Sequence, residues 1–164
     1  MLNRCAKHLL LLSFLCLTSS IIFSQTSYMS DFKEPKVYAG IEVGSKGVKM
    51  SIVEIGTDAQ SNTTFRMLKD SAVNTDFISF TQPAFNATLK GLAAMYSEAM
   101  ILYSIPFDKI FTVISSGVYI QAEKNGRLPM LSNLADSFRQ VINEPLRKVD
   151  IVDVTQEARL SHLG

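Results

Sequence analysis

Tryptophan is absent from the 164 residues, and histidine and cysteine are scarce at two each. His8 stands near the start and His162 near the end, so neither a histidine metal cluster nor a Ser–His–Asp set can be assembled. Both cysteines, Cys5 and Cys16, fall within the first 24 residues. The remainder therefore has no thiol chemistry and no disulfide, and it must stand on its core alone. No Cys-x-x-Cys, no Gly-x-Gly-x-x-Gly and no internal repeat occurs, and the seven methionines are scattered as packing residues would be. Charge is sparse at 19%, while 47% of residues are hydrophobic, which argues against disorder. The length suits one domain able to bury a core.

Residues 1–24 differ from the rest. Arg4 and Lys7 give a positive start, Leu9–Phe23 is nearly all apolar, and Ser24 precedes Gln25 as a small residue at a cut. This is the layout of a cleavable secretory signal, which implies a periplasmic or secreted product. The alternative is an uncleaved membrane anchor, for which the apolar run is short. Without the leader, 16 Lys+Arg fall to 14 against 15 Asp+Glu, a net of −1. Such a domain lacks the basic face that general nucleic-acid binding needs. Residues 25–36, polar with Pro35, read as a tether, and residues 37–164 as the domain.

The domain is organised around Val37–Ile55. An apolar run to Val43 meets Gly44-Ser45-Lys46-Gly47, and Val48, Met50 and Ile52 then alternate with Lys49 and Ser51. The pattern predicts strand, tight turn, strand. A turn rich in Gly and Ser can aim amides and a hydroxyl at a phosphate, although Gly is also what any tight hairpin needs. The P-loop spacing is missing, and a strand follows where a helix should. A third strand is expected over Phe65–Ala72, making an antiparallel meander. Thr81-Gln82-Pro83 starts a helix, with an apolar stripe through Phe85, Leu89, Leu92, Tyr96, Ala99 and Tyr103. Lys109–Ser115 reads as a buried strand, and the β–helix–β order predicts a parallel neighbour. Ser115-Ser116-Gly117 follows its carboxyl end, where open α/β sheets hold ligands. Asn125-Gly126 and Pro129 break the chain. A helix then runs from Ser132 through Leu134, Phe138, Val141 and Ile142, and Val149–Val154 forms a last strand. Thr155 caps a terminal helix carrying Glu157 and Arg159.

Three stretches carry a family resemblance. Ala39–Met50, AGIEVGSKGVKM, is similar to the first phosphate-loop motif, x-[A/G]-I-D-[I/L]-G-S-N-S-x-[R/K]-L, of the exopolyphosphatase and guanosine-pentaphosphate phosphohydrolase (Ppx/GppA) family. Ile114–Asn125, ISSGVYIQAEKN, sits where that family has A-T-S-A-x-R-E-A-x-N. Asp153–Gly164, DVTQEARLSHLG, resembles S-G-x-E-E-A-R-L-x-x-x-G. The order and spacing agree over roughly residues 37 to 164. The resemblance implies an α/β, ribonuclease-H-like half-domain of the actin-like, sugar-kinase and heat-shock ATPase superfold. Its mixed sheet would start with the meander, with helices packed on it.

The resemblance also implies roles. Gly44, Ser45, Lys46 and Gly47, with Ser116 and Gly117, would hold a phosphate. Glu42 would hold Mg²⁺ or its water, and Glu157 would stand near the attacking water. Glu42 replaces the family's Asp, and Lys46-Gly47 replaces Asn-Ser. Gln121 takes the place of the catalytic Glu, and an amide cannot accept a proton at working pH. The second phosphate loop, Asp-x-Gly-Gly-Gly-Ser, would follow Gly164. The implied activity is phosphoanhydride hydrolysis, weak or absent in this half alone, on polyphosphate or another phosphorylated small molecule. A second half-domain or self-association would complete the cleft. The alternative is an exported, non-catalytic module that binds polyanions or a protein. Any membrane contact would come through the leader.

Overall fold

The computed structural model describes residues 32–57 and 62–161. The leader, its cut and the first part of the tether lie outside the described residues. Strand β1, Lys33–Gly44, and strand β2, Gly47–Thr57, form the expected antiparallel hairpin, closing at the Gly44↔Gly47 pair. Strand β3, Thr63–Asn74, pairs antiparallel with β2 and completes the meander. A 3₁₀ turn, Phe77–Ser79, leads into helix α1, Gln82–Ile101. A second such turn, Phe107–Lys109, precedes strand β4, Ile110–Ile114. Then come helices α2, Ser116–Lys124, and α3, Leu128–Val141, strand β5, Asp150–Ile151, and helix α4, Val154–Ser161. The sheet order is β3-β2-β1-β4-β5, with β1, β4 and β5 parallel.

Several boundaries differ from the sequence reading, each for a local reason. β1 begins at Lys33, inside the polar stretch read as a tether, because β2 extends far enough to pair Lys33 with Thr57. The register is irregular between Lys33 and Lys36, which accommodates Pro35, a residue unable to donate to a ladder. α3 starts four residues before Ser132. Pro129 does not break the chain there; it occupies the first helical turn, where no amide partner is needed. β5 is two residues long, far shorter than Val149–Val154. The cap of α4 is Asp153 and not Thr155: Asp153 Oδ1 accepts from Gln156 N at 2.8 Å, and Gln156 Oε1 accepts from Asp153 N at 3.1 Å. This reciprocal pair satisfies two amides that the helix start would leave open.

One sheet face carries Ala39, Ile41 and Val43 of β1, Val48, Met50 and Ile52 of β2, and Ile110 and Ile114 of β4, all buried. Helices α1, α2 and α3 cover it with Leu92, Met95, Val118, Leu134 and Phe138. Each such side chain taken fully from water contributes about 1.5–3 kcal/mol before entropy is counted. Thr81 caps α1, its Oγ1 accepting from Ala84 N at 3.4 Å. The buried face of α1 is turned from the expected stripe: Ala84, Thr88 and Gly91 join Leu92, Tyr96 and Ala99, while Phe85, Leu89 and Tyr103 sit at its border. Close approach explains the turn, since a Cβ on Gly91 would lie 3.3 Å from Val48.

Beyond α3 the chain is pinned by one buried cation. Arg147 donates through Nη1 to Phe107 O and to Ile110 O, both at 2.8 Å, and through Nε to Glu144 Oε2 at 2.9 Å. Its Nη2 donates to the Tyr96 hydroxyl, which in turn donates to Glu144 Oε1. The guanidinium also lies 4.8 Å from the Tyr96 ring centroid. Burial, helped by the Glu144 hydrogen bond, pushes the Tyr96 phenol up from 10.0 to about 12. The folded chain thus keeps a proton that the unfolded chain releases, so this contribution is complete below pH 10 and lost as pH rises through about 12. Urea unfolding between pH 9 and pH 12 should therefore show a fall in stability that is reduced in Tyr96→Phe; identical pH profiles for the two proteins would contradict this.

Candidate functional site

Because β1, β4 and β5 run parallel, their carboxyl ends open on the same edge of the sheet. Three connections meet there: the turn Gly44–Gly47, the entry to α2 at Ser115–Gly117, and the entry to α4 at Asp153–Glu157. They are tied to the strands by backbone bonds. Ser115 N donates to Val43 O at 3.0 Å, and Val152 N donates to Ile114 O at 3.1 Å.

Two glycines leave room for reactive groups. A Cβ on Gly44 would lie 3.3 Å from Glu42 Oε1, so the carboxylate folds against the turn. A Cβ on Gly117 would lie 3.3 Å from Ser45 Oγ, so the turn hydroxyl rests on the start of α2. From that same helical turn, Ser116 Oγ donates to Glu157 Oε2 and draws the start of α4 to the site. Val118 and Tyr119 are the first α2 amides with a helical partner, both donating to Ser115 O. The amides of Ser116 and Gly117 belong to the open N-terminal end of the helix, which suits an anion. Glu42, Gly44, Ser45, Ser116, Gly117 and Glu157 thus form one continuous chain of contacts.

The remaining sequence candidates stand apart from that chain. Gly47 serves packing: its φ is +153°, and a Cβ there would meet Val73 O at 2.0 Å. Lys46 is exposed and, together with Ser45, lines a groove with Asp76 and Thr81. Gln121 sits one helical turn past Gly117, in the second half of α2, where its carbonyl accepts from Asn125 Nδ2 at 2.7 Å. The sequence reading missed what steadies the turn from behind. Thr75 N and Asp76 N donate to Lys46 O at 3.1 and 3.4 Å, and Thr88 Oγ1 donates to Thr75 Oγ1 at 2.7 Å. Asn74-Thr75-Asp76 looks like any polar loop, so no local signal marks it.

Glu42 opens onto the sheet face away from α1–α3, in a groove of about 690 Å³ that Lys49, Gln156 and Arg159 also line. Lys49 is its direct cross-strand partner. Among the described residues no group of three His, Cys, Asp or Glu side chains is placed to hold a metal. Magnesium needs no such cage, because it binds through one or two carboxylates with waters and substrate phosphates filling the other positions. The Glu42 carboxylate beside the turn fits that mode. Among the described residues no helix is long and apolar enough to cross a membrane.

No protein-family model and no curated protein matches the chain. Solved structures do. The chain is similar to a Ppx/GppA family member from Aquifex aeolicus, with 15% identity and a TM-score of 0.56 over 79% of this chain and 39% of that one. An exopolyphosphatase-like protein gives 17% identity and a TM-score of 0.55 over 80% and 37%. The Aquifex aeolicus PPX-GPPA enzyme gives 13% and 0.53 over 75% and 38%. The chain therefore spans about two-fifths of the length of these structures. At such identities the likeness speaks for the fold, and the expected α/β half-domain of that architecture is what the sheet and helices form.

The glycine geometry gives a sharp contrast. Gly47→Ala should lose about 2 kcal/mol or more, because the backbone there is strained for any side chain and Val73 O blocks it. Gly40→Ala should change stability by no more than about 0.5 kcal/mol, since nothing lies within 4 Å of its Cβ position. Equal urea midpoints for the two variants would contradict this account of the turn.

Proposed function

We propose that this chain is a phosphohydrolase-like half-domain that holds a terminal phosphate of a polyanion at the carboxyl edge of its sheet. The observation that carries the reading is the proximity there of the Ser45 hydroxyl, the open amide end of α2 and the Glu157 carboxylate, with a Cβ on Gly117 pressing on Ser45 Oγ alone, at 3.3 Å. Amides and a hydroxyl aimed at one place stabilise an oxyanion without needing to reorganise. The likeness to exopolyphosphatase-like and Ppx/GppA structures supports the same class of ligand.

In this reading Ser45 and the amides of Ser116 and Gly117 bind the phosphate oxygens. Glu157, oriented by the Ser116 hydroxyl, positions a water against the phosphorus. Glu42 would hold Mg²⁺, which supplies neutralisation of phosphate charge when bound. Lys46 adds a cation on the outer side of the turn. Gln121 holds no proton-accepting group, so general-base chemistry is not supplied from its position. Phosphoryl transfer also needs charge neutralised on both sides of the transferred group. This half furnishes one side, and a second half-domain would furnish the other. Inorganic polyphosphate suits an exported protein better than a nucleotide does.

Two outcomes test the proposal. Calorimetric titration with tripolyphosphate should show saturable binding, weakened at least tenfold, or about 1.4 kcal/mol, in Gly117→Val with its urea midpoint little changed. Unweakened binding in that variant would remove the site. Residues 25–164 alone should release no measurable phosphate from polyphosphate or guanosine pentaphosphate; steady release that depends on Glu157 would contradict the half-site reading.

A further inference from the structure

The turn on which the phosphate reading relies has no strong shape of its own. Gly44 pairs with Gly47, so Ser45 and Lys46 make a two-residue hairpin loop. Loops of that length match the twist of their strands when the first residue has a positive φ, as types I′ and II′ require; otherwise they tend to splay the strands. Neither Ser45 nor Lys46 has a positive φ. The turn therefore has to be held from outside the hairpin.

That support comes from behind and ends in a helix. Lys46 O accepts from Thr75 N at 3.1 Å and from Asp76 N at 3.4 Å. A peptide group is planar, so holding this oxygen also fixes the direction of the Gly47 amide, and little freedom is left in so short a loop. Thr75 is held in turn by Thr88 of α1, the two hydroxyl oxygens lying 2.7 Å apart. Each hydroxyl has one proton and two lone pairs, so the pair stays bonded whichever one donates. Ala84 O lies 2.8 Å from the Thr88 hydroxyl and fixes its orientation.

Packing alone does not call for a threonine at this place. Thr88 is fully buried, on a face it shares with Ala84, Leu92, Met95 and Ala99. Threonine forms helix less readily than alanine or leucine, and valine would fill the same space without burying a hydroxyl. The helix also runs close enough to reach the loop, since a Cβ on Gly91 would lie 3.9 Å from Thr75 Cγ2. We propose that Thr88 is a positioning residue for the anion site. Through Thr75 its hydroxyl sets the Lys46 carbonyl, and that carbonyl sets the turn that presents Ser45 beside Gly117. The inference rests on the phosphate reading: with the bond gone the fold remains, but the anion has to order the turn as it binds.

The test compares Thr88→Val, which keeps the volume and removes the hydroxyl, with Thr88→Ser, which keeps the hydroxyl, in the full chain. Amide hydrogen exchange reads the clamp without any ligand. The Thr75 amide should exchange about fivefold faster in Thr88→Val, measured against the Val113 amide inside the sheet, and at the wild-type ratio in Thr88→Ser. Calorimetric titration should show a tripolyphosphate Kd raised about fivefold in Thr88→Val and within about twofold of wild type in Thr88→Ser. Thr75→Val removes the same bond from its other end, and joined to Thr88→Val it should be no worse than either change alone. An unchanged exchange ratio in Thr88→Val would overturn the proposal, as would an unchanged Kd alongside faster exchange. A wild type that binds no tripolyphosphate would overturn the phosphate reading and the anion role of Thr88 together, while the exchange contrast would still mark the clamp as a feature of the fold.

Discussion

The arrangement of the site depends on the parallel pairing of β1 with β4. Five matched pairs, from Ala39↔Ile110 to Val43↔Ile114, bring the two strands to the same edge in step. The Ser115 N to Val43 O bond carries that register one residue past the strands. The hairpin turn and the start of α2 are then neighbours by construction, close enough that Ser45 rests on Gly117. A slip of one residue would send Ile110, Thr112 and Ile114 to the wrong face and expose the core, so burial enforces the geometry of the site. Stability and placement share one cause.

The two ends of the sheet are finished in different ways. At the carboxyl edge, polar groups are gathered by glycines and short hydrogen-bonded connections, bringing the Ser45 hydroxyl beside Gly117 and the Glu157 carboxylate onto the Ser116 hydroxyl. Near the start of β4, a single buried arginine ties α1, the Phe107 turn and the segment after α3 together. Removing a charge of this kind leaves its partners unpaired in the interior, which is costly. The hydrophobic side chains around it are presented outward, and the polar groups are consumed inward.

Much of this was legible in the residues. The glycine turn, the meander, the Thr81-Gln82-Pro83 helix start and the parallel return of β4 all follow from spacing, capping and element order. What failed was non-local or ambiguous. Lys33–Lys36 become strand only because β2 is long enough to pair with them. Pro129 reads equally as a break or as the first turn of a helix. Thr155 and Asp153 both look like caps, and only the Asp153–Gln156 reciprocity decides between them. Within the site, motif similarity singled out Glu157, but its bond to Ser116 spans 41 residues and no periodicity could place it. Gly47 looks like a binding residue in the turn, yet its position answers to Val73. The Arg147 cluster left no sequence signal, since a lone Arg after Leu usually reads as surface.

The central claim, that neighbouring loops at the carboxyl edge grip an anion through their backbone, is best tested by a ¹⁵N–¹H amide titration with tripolyphosphate. The account predicts saturating shifts concentrated at Ser45, Lys46, Ser116 and Gly117, with a common dissociation constant. Shifts spread over exposed lysines, or none at these four amides, would contradict it.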